Sequence, residues 1–290
     1  MDESGFTNLA NARVAIVGLG LMGGSLALAL SGCCREIIGV DADPAPLTFA
    51  TERSIVHRTT DFDSALGTSD LLILATPVRT ILAQLDRLRQ LPITNYQLPI
   101  LDLGSTKSEI VALMKQLPEG YDPIGGHPMC GKEVSGIEHA DPDLFRGKPF
   151  VLCPLERTAP RALALTHELI FVIGAHPLIL DAETHDSLAA TVSHLPYAVA
   201  IALVRTALAT DDEALWQMAA SGFRDTTRLA ASDLTMMTDI LLTNRAAVLD
   251  SLSRFRAELE ALTAAIDSGD ADALRAVLES AQRKRSEMFK

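Results

Sequence analysis

His127 stands in the run Gly125-Gly126-His127-Pro128-Met129-Cys130-Gly131. Imidazole titrates near neutrality, so it can take the proton of a hydroxyl while a hydride leaves the carbon that bears it. Residues 121–124 read as a strand pointing at this run, two glycines clear space around the ring, and Pro128 stiffens the loop. A histidine that only hydrogen-bonds its own loop is the competing reading. Ser105, in Gly104-Ser105-Thr106-Lys107, follows another strand end. Its hydroxyl either reaches the same place or caps the helix that begins there. Lys107 reads as a first-turn or surface residue. Cys130 lies close to His127 and invites a Cys/His nucleophile, but a small apolar residue packed under a loop accounts for it equally well.

Further along come His185-Asp186 and Ser193-His194-Leu195-Pro196-Tyr197. On a regular helix the step from His185 to His194 turns the side chain about halfway round. The two rings therefore share no face unless a bend at Pro196 intervenes, and no metal site is expected. Arg224-Asp225-Thr226-Thr227-Arg228 lies among apolar residues. An arginine here pairs with Asp225 or grips a carboxylate through two N–H groups.

These residues need a frame, and residues 13–41 supply one. Arg13-Val14-Ala15-Ile16-Val17 is a short apolar strand, Gly18-Leu19-Gly20-Leu21-Met22-Gly23 a glycine turn, and Leu26-Ala27-Leu28-Ala29-Leu30 a helical composition. Gly18 permits the tight turn, Gly20 lets backbone N–H groups reach a pyrophosphate, and Gly23 lets the helix sit close to its strand. Leu21 and Met22 open the helix, whose N-terminal N–H groups face the phosphates. A second strand, residues 36–40, ends on Asp41, whose carboxylate can accept both ribose hydroxyls and repels a 2′-phosphate. The expected cofactor is NAD rather than NADP. Residues 14–34 carry no charge and end in a Leu-Ser-Gly-Cys box like that of an exported lipoprotein. The acidic Asp2 and Glu3 and the many glycines argue against that reading.

Strands are further expected at 69–75, 100–103, 150–152 and 176–180, with helices at 43–53, 78–89, 108–117 and 160–172. Thr76-Pro77 turns at the carboxyl end of its strand, where an open α/β sheet binds ligands. After Asp181 the strand signals vanish. Residues 182–208 read as one long helix bent at Pro196. Val248, Leu252, Phe255, Leu259, Leu262 and Ile266 form a stripe that packs on a partner helix, within the chain or in a second subunit. The expected fold class is α/β: a doubly wound, Rossmann-type sheet over 1–180, then an all-α domain over 181–290 for substrate and dimerisation. A net charge of −12 argues against nucleic acid and anionic membranes as partners. The cysteines at 33, 34, 130 and 153 form no metal or redox spacing, which suits a reduced, cytoplasmic protein.

Six segments together resemble the prephenate/arogenate dehydrogenase family of tyrosine biosynthesis: GLGLMGGS (18–25), DLGSTK (102–107), GGHPMCGKEVSGI (125–137), LFRGKPFVLCP (144–154), HDSLAATVSHLPY (185–197) and SGFRDTTRLAASD (221–233). The resemblance implies an oxidative decarboxylation that passes a hydride from ring C4 to NAD and releases the ring carboxylate as CO2. It casts His127 as the catalytic histidine at the C4 hydroxyl and Ser105 as the group orienting that hydroxyl. Arg228 becomes the substrate-carboxylate arginine, and His185 a support from the helical domain. Helical second domains of nucleotide enzymes often dimerise, and by that analogy a homodimer formed through the C-terminal helices is expected. The family often has histidine where this chain has Tyr197, beside the substrate side chain. That departure leaves prephenate and arogenate both open, with NAD preference favouring prephenate. The length leaves no room for a chorismate mutase or regulatory domain.

Two other readings compete with this one. A β-hydroxyacid or imine reductase would place a lysine or aspartate on the long helix, and none stands suitably between His185 and Tyr197. A catalytically silent NAD-binding sensor would lack His127 or Arg228, and both are present.

Overall fold

The computed structural model describes residues 8–91 and 97–288. Its sheet has eight strands: β1 Arg13–Val17, β2 Glu36–Val40, β3 Arg58–Thr59, β4 Leu71–Leu74, β5 Leu98–Asp102, β6 Tyr121–Pro128, β7 Pro149–Pro154 and β8 His176–Ile179. They lie in the order β3-β2-β1-β4-β5-β6-β7-β8. All neighbours run parallel except β6 and β7, which are antiparallel. Helices α1 Leu21–Ala29, α2 Pro44–Glu52, α3 Phe62–Thr68, α4 Val78–Gln90, α5 Ser108–Met114 and α6 Pro160–Val172 connect the strands.

Both faces of the sheet are covered. Val14 and Ile16 of β1 pack in one layer with Leu26 of α1 and Leu169 of α6, while Ala15 and Val17 pack in the other with Ile81 and Leu85 of α4. Double burial explains why the strands read as unbroken apolar runs rather than alternating ones. The strand order reverses between β1 and β4, and the carboxyl ends of that pair open the ligand crevice of a doubly wound sheet. Val14 to Cys34 thus belongs to the core βα unit, not to a leader. The region between α2 and β4, unassigned from sequence, supplies β3 and α3.

β6 continues through Pro128, so Gly125, Gly126 and His127 are strand residues and not the loop expected. The glycines serve close packing. A Cβ on Gly126 would come within 2.6 Å of the Asp102 carbonyl oxygen, and one on Gly125 within 3.1 Å of the Val111 side chain.

After β8 the chain is helical. α7 Ala182–Ala189 and α8 Leu195–Leu208 are joined without a break by a π turn at Ala190–His194. Proline has no N–H for the carbonyl four residues back and its ring crowds that carbonyl, so Pro196 disfavours a regular helix through this turn. A widened π turn is the local remedy, where a bend at Pro196 was expected. The inserted residue also rotates His194 back toward the face that carries Asp186. Helices α9 Ala214–Met218, α10 Ser221–Thr227 and α11 Leu234–Thr243 follow, then α12 Arg245–Asp267 and α13 Ala271–Met288. The chain forms two compact units, Met1–Arg245 and Ala246–Lys290. In the second, α12 turns into α13 at Gly269, where φ is +65°. Of the expected apolar stripe, Val248 is buried, whereas Leu259 and Ile266 are exposed at 50% and 60%.

Candidate active site

The glycine turn lies at the carboxyl end of β1. Gly18 has φ of +94°, and a Cβ there would meet the Thr76 methyl at 2.7 Å. A Cβ on Gly23 would fall 1.8 Å from the Gly18 carbonyl oxygen, so only glycine lets α1 start this close to its strand. At Gly20 an added Cβ meets nothing within 4 Å. That open side is where a diphosphate can approach the first-turn N–H groups of Leu21, Met22 and Gly23, which precede the first intrahelical bond, from Gly24 N–H to Gly20 O. Asp41 follows β2 beside the turn. Its carboxylate accepts the Leu19 N–H at 2.7 Å and the Asp43 N–H at 2.9 Å, so it braces the turn. Thr76 and Pro77 close the crevice from β4, with Thr76 Oγ1 3.1 Å from Gln84 Oε1. The residues present fit a dinucleotide.

His127, near the end of β6, is buried, and its Nδ1 lies 2.7 Å from Nε2 of His185. His185 Nδ1 in turn lies 2.8 Å from Asp186 Oδ1. Asp186 also accepts the backbone N–H groups of Lys107 at 2.7 Å and Ser108 at 2.8 Å, capping α5. Burial works to raise the Asp186 pKa, but hydrogen bonds from His185, Ser108 and Lys107 outweigh it and hold the carboxyl below its ordinary value. Burial drives the His127 pKa well below that of a free imidazole, and its electrostatic interactions with His185, Lys107 and His194 push it the same way. The His127 ring is therefore held neutral, and the acceptors around it decide where its proton sits. An ionised carboxylate only accepts. His185 then donates from Nδ1 to Asp186, and in the tautomer that carries this single proton its Nε2 accepts from His127 Nδ1–H, which leaves the His127 Nε2 lone pair free to take a proton.

Asn244, at the end of α11, donates to the Asp186 carbonyl at 2.7 Å and to His194 Nδ1 at 3.2 Å. Burial lowers the His194 pKa to about 4. Its Nε2 is buried without a protein partner. Ser105 is half-buried between Gly104 and Lys107, at the carboxyl end of β5. Lys107 is completely buried and ion-paired with the equally buried Asp102, which corrects the expectation of a surface residue. The polar run after a strand end looked solvent-facing, yet the chain folds back over Asp102 there.

Arg228 is exposed and pairs with Glu133, on the segment just past His127. Asp225 pairs instead with Arg224, at 3.4 Å. Tyr197 is buried among Met237 and Ile240 of α11, in a small apolar cluster. The structure thus joins His127 directly to His185, sets Arg228 against the loop that follows His127, and packs Tyr197 into the helical core. Sequence reasoning gave no role to Asp102, Glu133, Asp186 or Asn244. The one available signal was the lone acid closing the apolar run of β5, since a buried carboxylate needs a partner.

Residues 25–179 match the family model described as prephenate dehydrogenase, nucleotide-binding domain, and residues 181–280 match the prephenate dehydrogenase dimerization domain. Prephenate dehydrogenase of Bacillus subtilis (strain 168) is 33% identical over 94% of this chain and 75% of its own length. Cyclohexadienyl dehydrogenase of Zymomonas mobilis is 30% identical over 94% of each chain. The crystal structure of prephenate dehydrogenase from A. aeolicus in complex with hydroxyphenyl propionate and NAD+ matches with a TM-score of 0.88 and 31% identity, over 97% of this chain and 100% of that one. Synechocystis arogenate dehydrogenase matches with a TM-score of 0.79 and 31% identity, over 96% and 100%. With both family domains matched in order across the sheet and the helices that carry this site, the chain belongs to the prephenate dehydrogenase family.

Proposed function

We propose that the chain catalyses the NAD-dependent oxidative decarboxylation of prephenate to 4-hydroxyphenylpyruvate, a step of tyrosine biosynthesis. The observation that carries the reading is the buried sequence Asp186–His185–His127 at the carboxyl edge of a dinucleotide-type sheet, with a His127 imidazole that burial keeps neutral and able to take a proton. NAD, seated on the glycine turn and Asp41, supplies the hydride acceptor. His127 takes the C4 hydroxyl proton as the C4–H bond gives up its electron pair. The new carbonyl draws the ring carboxylate off as CO2, and aromatisation makes the step effectively irreversible. Ser105 orients the C4 hydroxyl, His185 holds the His127 ring, and Arg228 releases Glu133 to bind a substrate carboxylate through two N–H groups. Tyr197 stands behind the position of the substrate side chain.

Arogenate is the second reading. The likeness to an arogenate dehydrogenase and the absence of histidine at Tyr197 favour it. An assay with NAD and each substrate, following absorbance of the reduced cofactor, tests both. Activity with neither would remove the proposal.

We assign cofactor binding to residues 1–180 and substrate binding and dimerisation to 181–290, although α7 to α11 pack within the first compact unit. The stretch Ala182–Leu208 is long and apolar enough to cross a membrane. Its His185, Asp186 and His194 are bonded within the site, however, and its exposed Leu188, Val192 and Leu208 suit a second subunit. Sedimentation should give a dimer; a monomer at micromolar concentration would contradict this. Unpaired cysteines favour the reducing cytoplasm.

A further inference from the structure

Asp102 ends β5 and Lys107 precedes α5, and both side chains are fully buried and paired. The same carboxylate accepts two backbone N–H groups, from Gly104 at 2.8 Å on Oδ2 and from Gly126 at 3.0 Å on Oδ1. Gly104 immediately precedes Ser105, and Gly126 immediately precedes His127. The backbone register between β5 and β6 ends at Leu101 opposite Ile124, so beyond that point a side chain does what the ladder no longer does. Lys107 closes the arrangement, because its own N–H binds Asp186, which holds His185, which holds His127. The contacts form a ring from Asp102 through Gly126, His127, His185, Asp186 and Lys107 back to Asp102.

We propose that Asp102 and Lys107 are positioning residues that jointly fix Ser105 and His127, one carboxylate setting the backbone of both. This rests on the reading of His127 as proton acceptor and Ser105 as its neighbouring hydroxyl. A buried ion pair is weak evidence of a stabilising role, since an apolar replacement of both partners is often neutral or better. A pair on which both site strands converge has a different use. Proton transfer tolerates little displacement, and an error near 1 Å can cost roughly 10²-fold. An asparagine at 102 could not substitute, because its single acceptor oxygen cannot serve Gly104 and Gly126 together. The charged and titratable groups that act on His127 are Lys107 from the β5–α5 turn, His185 from α7 and His194 from the π turn.

The test compares Lys107→Met with the double variant Asp102→Asn/Lys107→Met. The single change strands a buried carboxylate and should lower Tm. The double change removes both charges and leaves one glycine N–H without its acceptor, so it should recover most of that loss. NAD affinity, measured by fluorescence titration, should stay within about twofold of wild type, since the glycine turn is untouched. If the pair positions the site, kcat of the double variant remains at least tenfold down despite the recovered Tm. The His127 imidazole, followed by NMR without substrate, should then titrate about half a pH unit or more above its wild-type value. Recovery of kcat together with Tm, or an unmoved His127 titration, overturns the inference. Wild-type protein inactive on prephenate and arogenate would instead overturn the functional reading, and the NMR titration would still decide the positioning role.

Discussion

Nδ1 of His127 and Nε2 of His185 lie 2.7 Å apart, and the carboxylate beyond them, which only accepts, holds a His185 proton on Nδ1. Asp186→Asn should loosen that hold. The amide carries no charge to bind the Nδ1–H, and its nitrogen must oppose either the Ser108 N–H or the Lys107 N–H and His185 together. We expect kcat to fall on the order of 10²-fold or more, within the range for general base catalysis, with NAD affinity unchanged. The variant also weakens the cap of α5, at about 1 kcal/mol. Steady-state rates beside a thermal melt separate the two effects; wild-type kcat would refute the proton assignment.

Both depressed histidines carry a stability consequence. In the unfolded chain each imidazole takes up a proton near pH 6.5, whereas folded His194 does so only near 4 and folded His127 also well below its ordinary value. Between those limits the unfolded state binds more protons, so stability falls as pH drops from about 6.5 toward 4. Denaturation midpoints for wild type and His194→Asn across that window give the check. The slope should flatten in the variant, and an unchanged slope would count against the buried, neutral His194. Catalysis should persist below the usual imidazole range for the same reason, with the acid limb of kcat/KM lying under about pH 6.5.

Much of this was readable in advance, and the misses have physical causes. Gly18, Gly20 and Gly23 were legible because the constraint on each is local: a positive φ, an open side, a helix too near its strand. His127 stood out because a polar ring after an apolar strand is conspicuous. Lys107 was misjudged because its burial depends on Asp102, five positions back and across a chain reversal, and no periodicity encodes that. The π turn was hidden too, since Pro196 announces a disturbance without saying whether the helix bends or widens. Asn244 reaches Asp186 across 58 positions, a contact that only the folded chain makes visible.

Asp41 should set the cofactor preference. Its carboxylate already accepts the Leu19 N–H, so its charge sits against the turn where a 2′-phosphate would lie. Wild type should prefer NAD, and Asp41→Ser should shift the NADP-to-NAD ratio of kcat/KM by about tenfold, roughly 1.4 kcal/mol. The same change frees the turn, so KM for NAD should rise. A wild-type preference for NADP would contradict the assignment of Asp41.

Substrate choice rests on the side chain, because prephenate and arogenate share the ring carboxylate and the C4 hydroxyl. Tyr197 can donate or accept, and discrimination by one neutral hydroxyl is worth about 1–3 kcal/mol. We expect prephenate to be preferred, with arogenate accepted more weakly, and Tyr197→His to sharpen the preference. Arogenate favoured by more than about 200-fold, beyond what one contact provides, would reverse it.

The most direct test of the central claim is the single-turnover rate of reduced-cofactor formation from prephenate and NAD in wild type and His127→Asn. Asparagine keeps the size of the side chain and some of its hydrogen bonding but cannot take the proton. The account predicts a rate lower by roughly 10²- to 10⁴-fold at unchanged NAD affinity. A His127→Asn rate close to wild type would contradict it.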